Sequence, residues 1–205
     1  MNAKNKEEIL TLEILEAIDK QSNVTQRHIA NRLNVALGLA NSYLKRCVRK
    51  GLIKIEQAPA NRYLYYLTPV GFAEKSRLTA DFLTSSFDFY RRASRSCSEV
   101  FLASDKNQCK SVLLCGVSEL AEIALLRAQE YGIVVVGFYD PDIECENYLS
   151  LPVWKSLEEA DKFCMCMITS LINPGNYLTY LEDKISTSKI YIPNILGLIK
   201  GQEYK

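Results

Sequence analysis

The sequence predicts two domains of different class: a mainly helical one with a small β-hairpin at the N-terminus, and an α/β one with a parallel sheet at the C-terminus, joined by a linker helix. Three observations predict this. Through the first 50 residues apolar side chains recur every three or four positions, the spacing of helices with one buried face. From Lys110 onward, continuous apolar runs alternate with amphipathic stretches, as in strands covered on both faces by helices. Charge divides the same way: residues 1–62 hold eleven Lys/Arg against six Asp/Glu (+5), 63–104 five against four (+1), and 105–205 nine against fourteen (−5). A chain of 205 residues, 48% hydrophobic, is long enough for two small cores. The expected boundaries are 1–68, 69–103 and 104–205.

Ile9, Leu12, Ile14, Leu15 and Ile18 give a first helix over 7–20. Thr25 caps a short second helix with Ile29, Ala30 and Leu33 on one face. Asn34, which enters the left-handed region cheaply, turns the chain into a third helix over 36–50, ended by Gly51. That helix buries Ala40, Leu44, Cys47 and Val48 and presents Gly38, Asn41, Ser42, Lys45, Arg46 and Arg49 on its other side. Amides, hydroxyls and cations together suit a major groove, where base edges and phosphates are both within reach. A strand over 52–55, a turn over 56–61 and a strand over 62–67 follow, with Arg62 and Asn61 near the tip of the hairpin. Helix, turn, helix and hairpin is the layout of a winged helix.

Thr25-Gln26-Arg27-x-Ile29-Ala30-x-x-Leu33-Asn34-Val35, Gly38-x-x-Asn41, Lys50-Gly51-Leu52-Ile53-Lys54 and Tyr66-Leu67-Thr68-Pro69-x-Gly71 resemble the MarR-type winged-helix regulators over residues 7–85. The resemblance is strongest to the subgroup associated with exopolysaccharide gene clusters. It implies binding of double-stranded DNA, transcription regulation and a homodimer, with Gln26, Arg27, Asn41, Ser42, Lys45 and Arg46 facing the duplex. Thr25, Gly38, Arg49 and Arg62 complete the candidate contact set. Ala36 stands where the family has a capping serine, and Leu39 where a basic residue is common.

Thr68-Pro69 opens the linker helix, and Thr79 offers a second start. Small or apolar residues at Ala73, Ser76, Ala80, Leu83, Phe87, Tyr90, Ser94, Cys97 and Phe101 step by threes and fours, the period of a coiled-coil seam, and are expected to pair two copies.

In the back domain, 110–115 reads as a buried strand, 116–118 as a turn, 119–131 as a helix ended by Gly132, and 133–139 as a second strand; 163–169 and 189–192 supply further strands. Ser156-Leu-Glu-Glu159 has the spacing of a capping box and predicts a helix start. Gly116-x-Ser118-x-x-Ala121 takes the place of a dinucleotide-binding turn, and Asp140 closes the next strand, where a carboxylate can meet a ribose. Only the first glycine of that motif is intact, and Glu119 brings negative charge to the phosphate position. Val135-Val-Gly-Phe-Tyr-Asp140-Pro-Asp142 and Leu151-Pro-Val-Trp-Lys-Ser156-Leu-Glu-Glu resemble the Rossmann-like N-terminal domain of sialic-acid-type sugar acyltransferases over 110–195. This implies a nucleotide-sugar or nucleotide effector bordered by Gly116, Val117, Ser118, Asp140, Thr169 and Ser170. Three alternatives stay open: a ligand-free interaction module, a redox sensor for a nicotinamide dinucleotide similar to Rex-type repressors, and an enzyme acting on a nucleotide sugar.

Tyr180-x-x-x-Lys184 matches the pair used by short-chain dehydrogenases, but it follows the glycine turn too closely for that family. No nucleophile–base pair is evident and the single histidine, His28, lies in the front domain, so neither catalysis nor a metal is expected. Seven scattered cysteines without a C-x-x-C predict buried thiols in a cytoplasmic protein; Cys164 and Cys166 would share one strand face. No apolar run approaches the roughly 20 residues of a membrane span.

Overall fold

Helices α1 (Ala3–Lys20), α2 (Gln26–Arg32) and α3 (Leu37–Arg49) open the chain in a computed structural model that describes residues 3–59, 62–105 and 109–201. Ile14 and Leu15 of α1, Ile29 of α2, and Ala40, Leu44 and Cys47 of α3 fill one core. The local signals sit where they are needed. The Thr25 hydroxyl accepts from the His28 N–H at 3.1 Å, and Asn34 turns at φ 49°. Strand β1 (Ile53–Ala58) pairs antiparallel with β2 (Arg62–Leu67) from Ile53↔Leu67 to Ala58↔Arg62. The first arm therefore continues through Glu56, where a turn was expected, because its cross-strand ladder is unbroken to Ala58.

Helix α4 (Pro69–Asp105) is a single helix of 37 residues. Thr68 caps it, accepting from the Gly71 N–H at 3.0 Å while donating to the Gly51 carbonyl at 2.6 Å. Gly71 lets this first turn press onto the preceding strand: a Cβ there would lie 2.0 Å from the Leu52 carbonyl oxygen. Thr79 starts no second helix; its hydroxyl bonds back to the Lys75 carbonyl one turn earlier.

The chain divides into two compact units, Met1–Phe87 and Asp88–Lys205, and α4 has residues in both. Its Leu78 belongs to the first core, and Ala93, Cys97, Val100 and Phe101 to the second. Each half of the helix is thus packed into a core. The apolar stripe expected to pair two copies is divided: Cys97 and Phe101 are fully buried in their own unit, whereas Phe82, Leu83, Phe87 and Tyr90 are exposed, Phe87 by 57%.

The second unit is a sheet of β3 (Ser111–Cys115), β4 (Val134–Tyr139), β5 (Asn147–Tyr148), β6 (Leu151–Trp154), β7 (Met165–Ile168) and β8 (Ile190–Tyr191), in the order β5-β6-β4-β3-β7-β8. All neighbours are parallel except β5 with β6. Strand order reverses between β3 and β7, the place where open α/β sheets leave a crevice at their carboxyl ends. Helix α5 (Glu119–Glu130) packs with Leu114, Phe138, Met165 and Met167 on one face. Helix α6 (Pro174–Lys184) packs with Leu113, Cys115, Cys166 and Ile168 on the other.

Ser156-Leu-Glu-Glu159 opens no helix but stays in turns and bends, the Glu158 carboxyl being held below its usual range by its own backbone N–H and then by the Ser156 hydroxyl. Only ten residues separate β6 from β7, and Leu157, Ala160 and Phe163 are already committed to the α6 side of the core. The thiol expectation is corrected as well. Cys109 and Cys164 form a disulfide, and Cys145 is exposed. Cys164 precedes β7 rather than lying in it, so it does not share the face of Cys166, which packs on the α6 side. Burial pushes the Cys47 thiol up to about 11 and that of Cys97 up to about 12.

Candidate functional site

Gly38, Ser42, Lys45 and Arg49 recur at steps of three and four and are exposed together on the side of α3 away from Ala40, Leu44 and Cys47; Asn41 is half-buried at their edge. The Ser42 hydroxyl bonds the Gly38 carbonyl at 3.0 Å. Lys45 and Arg49 have no acidic partner among the described residues. The side-chain oxygen of Asn41 is buried with no hydrogen-bond partner. Asn41 lines a cavity of about 700 Å³ together with Gln26, Lys45, Arg49 and the exposed Ile55 of β1.

The start of α2 lies beside the hairpin. Thr25 is occupied in capping, and the Gln26 amide donates to the Tyr65 hydroxyl at 3.2 Å. Arg27 is exposed. Thr25, Gln26, Tyr63 and Tyr65 border a second cavity of about 540 Å³. Tyr63 was not singled out from sequence; its signal was an aromatic next to the hairpin tip, at 54% exposure. Arg62 begins β2, but its side chain and Asn61 lie outside the described residues.

Arg46 does not join this group. Its guanidinium reaches Glu7 of α1 at 2.5 Å and lies 5.6 Å from the Tyr43 ring centre. The hydrogen bond from Arg46 holds the Glu7 carboxyl below the usual carboxylate range. One residue past Lys45, about 100° further round the helix, this side chain is turned toward α1.

In the second unit the six predicted ligand residues do come together, and they bond chiefly to one another. Gly116 adopts φ +102°, and a Cβ on it would lie 2.5 Å from the Ser170 backbone nitrogen. The end of β7 therefore already demands glycine here. Ser118 caps α5, accepting from the Leu120 and Ala121 N–H groups at 3.1 and 3.4 Å, and its hydroxyl donates to the Thr169 carbonyl at 2.5 Å. Thr169 in turn donates to the Gly116 carbonyl at 2.6 Å. Buried Asp140 accepts from the Val117 N–H at 2.8 Å with one oxygen and from the Asp142 N–H at 3.1 Å with the other. The first turn of α5 carries Glu119 and Glu122. Tyr177 also meets Asp140; burial first, and the Asp140 charge second, hold its phenol well above the usual value.

Beside this turn, a cavity of about 250 Å³ opens between Tyr139, Pro141 and Asp142 at the end of β4 and Asn173, Asn176, Tyr177 and Tyr180 of α6 and its approach. Tyr139 and Tyr180 stack with ring centres 5.5 Å apart at 11°, and Tyr177 meets Tyr139 edge-on at 6.0 Å. Lys184 lies one helical turn beyond Tyr180, 6.0 Å from its ring centre. Sequence reasoning missed α6, whose signal was Pro174 at a helix start.

Residues 8–54 match a family described as winged helix-turn-helix DNA-binding. Among solved structures the chain is similar to MepR, a transcription regulator of the Staphylococcus aureus multidrug efflux pump MepA, at 26% identity over 40% of this chain and 61% of that one, with a TM-score of 0.35. The S. aureus MepR–DNA complex is similar at 22% identity over 43% and 62%, TM-score 0.35. Human N-acetylserotonin methyltransferase in complex with SAM is similar at 11% identity over 92% of this chain and 74% of that one, TM-score 0.36. The chain thus spans about three-fifths of the length of the MepR structures. No curated protein matches it. The N-terminal unit is a winged helix-turn-helix with a β-hairpin wing, followed by an α/β unit with a mostly parallel sheet.

Proposed function

We propose that the protein is a homodimeric transcription regulator that reads DNA with α3 and carries a sensor in its α/β unit. The observation that carries this reading is the outer face of α3, where Lys45 and Arg49 are unpaired and the Asn41 oxygen has no partner. Asn41 reads a base edge, for which its amide is suited by offering a donor and an acceptor side by side. Lys45, Arg49 and Arg27 take phosphates, and Gly38, Ser42, Thr25, Gln26 and Arg62 border the duplex. The exposed Phe82, Leu83, Phe87 and Tyr90 of α4 pair two copies, since a two-fold reader matches a palindromic operator. The effector is a nucleotide or nucleotide sugar, and the target genes serve polysaccharide or cell-surface functions, as the sequence resemblances imply.

A second reading makes the α/β unit a ligand-free interaction module. It is favoured by the internally bonded turn at Gly116 and Asp140.

Selection of the full chain against a random duplex library tests the main reading. An enriched palindromic site, with affinity falling steeply as salt rises, is the expected result. Absence of duplex binding at low salt would remove the regulator reading. Phe87→Glu should give monomers by light scattering; an intact dimer would place the seam elsewhere.

A further inference from the structure

We infer that the cavity between the end of β4 and α6 is the recognition site of the α/β unit, and that it takes a neutral sugar ring through a pair of adjacent hydroxyls. This rests on the reading of that unit as a sensor and moves the ligand away from the turn after β3. That turn has spent its polar groups: the Val117 N–H goes to Asp140, the Ser118 hydroxyl to Thr169, and the space over Gly116 is filled by Ser170. A phosphate there would have to displace a buried carboxylate from a 2.8 Å hydrogen bond.

The neighbouring cavity has the opposite character. Asp142 and Asn176 are exposed in its wall and their side chains make no hydrogen bond among the described residues; Asn173, at the start of α6, makes no capping bond. Amides both donate and accept, and a carboxylate accepts twice, so together they satisfy hydroxyls, which also do both. Tyr180, partly exposed and backed by the buried Tyr139, supplies the apolar wall that the C–H face of a sugar ring requires, and the stacking of the two rings leaves no gap for a base to enter between them. No lysine or arginine lines the cavity, and Asp142 gives it negative charge, so an anionic phosphate is disfavoured inside it. At about 250 Å³ it falls below the usual size of sites for larger ligands and suits one ring. The hexose of a nucleotide sugar and the ribose of a nucleoside share this chemistry.

The test is calorimetry on the full chain with UDP-glucose, adenosine, glucose and inorganic pyrophosphate. The expected result is binding of UDP-glucose and of either glucose or adenosine, which tells hexose from ribose, with no binding of pyrophosphate. Asn176→Ala and Asp142→Ala should each weaken the bound probe by about tenfold or more, the scale of a lost hydrogen bond in a polar site, and Ser118→Ala should leave it unchanged. Asn176 is exposed, so unchanged circular dichroism and melting of its variant exclude misfolding. If a probe binds but loses affinity only in Ser118→Ala, or if pyrophosphate competes with it, the cavity assignment fails while the sensor reading stands. If none of the four binds at millimolar concentration, both fail.

Discussion

On α3, Lys45 and Arg49 stand exposed without acidic partners and the Asn41 oxygen bonds to nothing; at the end of β3, Ser118, Asp140 and Thr169 are each tied to the backbone of a neighbouring strand or turn. The two places attract attention in the sequence for the same reason, since both set polar residues at a helix that follows a tight turn. They differ in whether the polar groups have already been used. Buried polar groups are nearly always satisfied inside a protein, so a satisfied cluster explains itself, and an unsatisfied one calls for a further explanation. Charge separates them too: residues 1–87 hold thirteen Lys/Arg against eight Asp/Glu, and 88–205 hold twelve against sixteen.

If that contrast is right, substitutions at the β3 turn act on stability and substitutions on α3 act on DNA. The largest effect belongs to Gly116→Val. A side chain there meets Ser170 at 2.5 Å in a backbone conformation at φ +102°. Strain of about 1–3 kcal/mol and overpacking of about 1–3 kcal/mol together predict a loss of about 2–6 kcal/mol in denaturant unfolding. A variant of unchanged stability would show that the turn has room, and would return it to consideration as a phosphate site.

Asp140→Ala and Asn41→Ala sharpen the comparison because only the first should lower stability. Asp140→Ala leaves the Val117 and Asp142 N–H groups without their acceptor and should cost about 1–3 kcal/mol of stability. Asn41→Ala removes an oxygen that has no partner, so stability should hold or rise, while preference for the selected duplex falls by about 1–3 kcal/mol. Equal destabilisation by both variants in the same denaturant titration would end the distinction.

Much of the first unit was legible because its signals are local: Thr25 as a cap, Asn34 and Gly51 as turn residues, and the three-and-four spacing of α3 all act within a few positions. The same holds for Gly116, which the motif marks as a turn residue. What the sequence could not reveal was who else uses a residue. Ser170 fills the space over Gly116 from more than fifty positions away, and Glu7 takes Arg46 across from α1. The division of the stripe on α4 was hidden for a related reason. Periodicity marks an apolar face but not what covers it, so exposed Phe87 and buried Phe101 looked alike. Cys109 and Cys164 are likewise a long-range pair, with no spacing to announce them.

The smallest effect separates two adjacent cations on α3. Lys45 and Arg46 are indistinguishable by composition, and both were expected at the groove. Lys45 is exposed with no acid beside it, whereas Arg46 is held by Glu7 at 2.5 Å, its charge already answered. Releasing one condensed counterion changes the slope of log affinity against log salt by about 0.9 per phosphate neutralised. Lys45→Ala should therefore lower the magnitude of that slope by about 0.9 on every duplex alike. Arg46→Ala should leave the slope unchanged, and any loss of affinity should appear equally at low and high salt, because it would arise from the loosened contact between α1 and α3. Fluorescence anisotropy across a salt series distinguishes the two. A full drop in slope for Arg46→Ala would mean that a phosphate competes Arg46 away from Glu7 when DNA binds. In that case Glu7→Gln should tighten binding by freeing the guanidinium beforehand, and pairing within the free chain would no longer suffice to take a residue out of the interface.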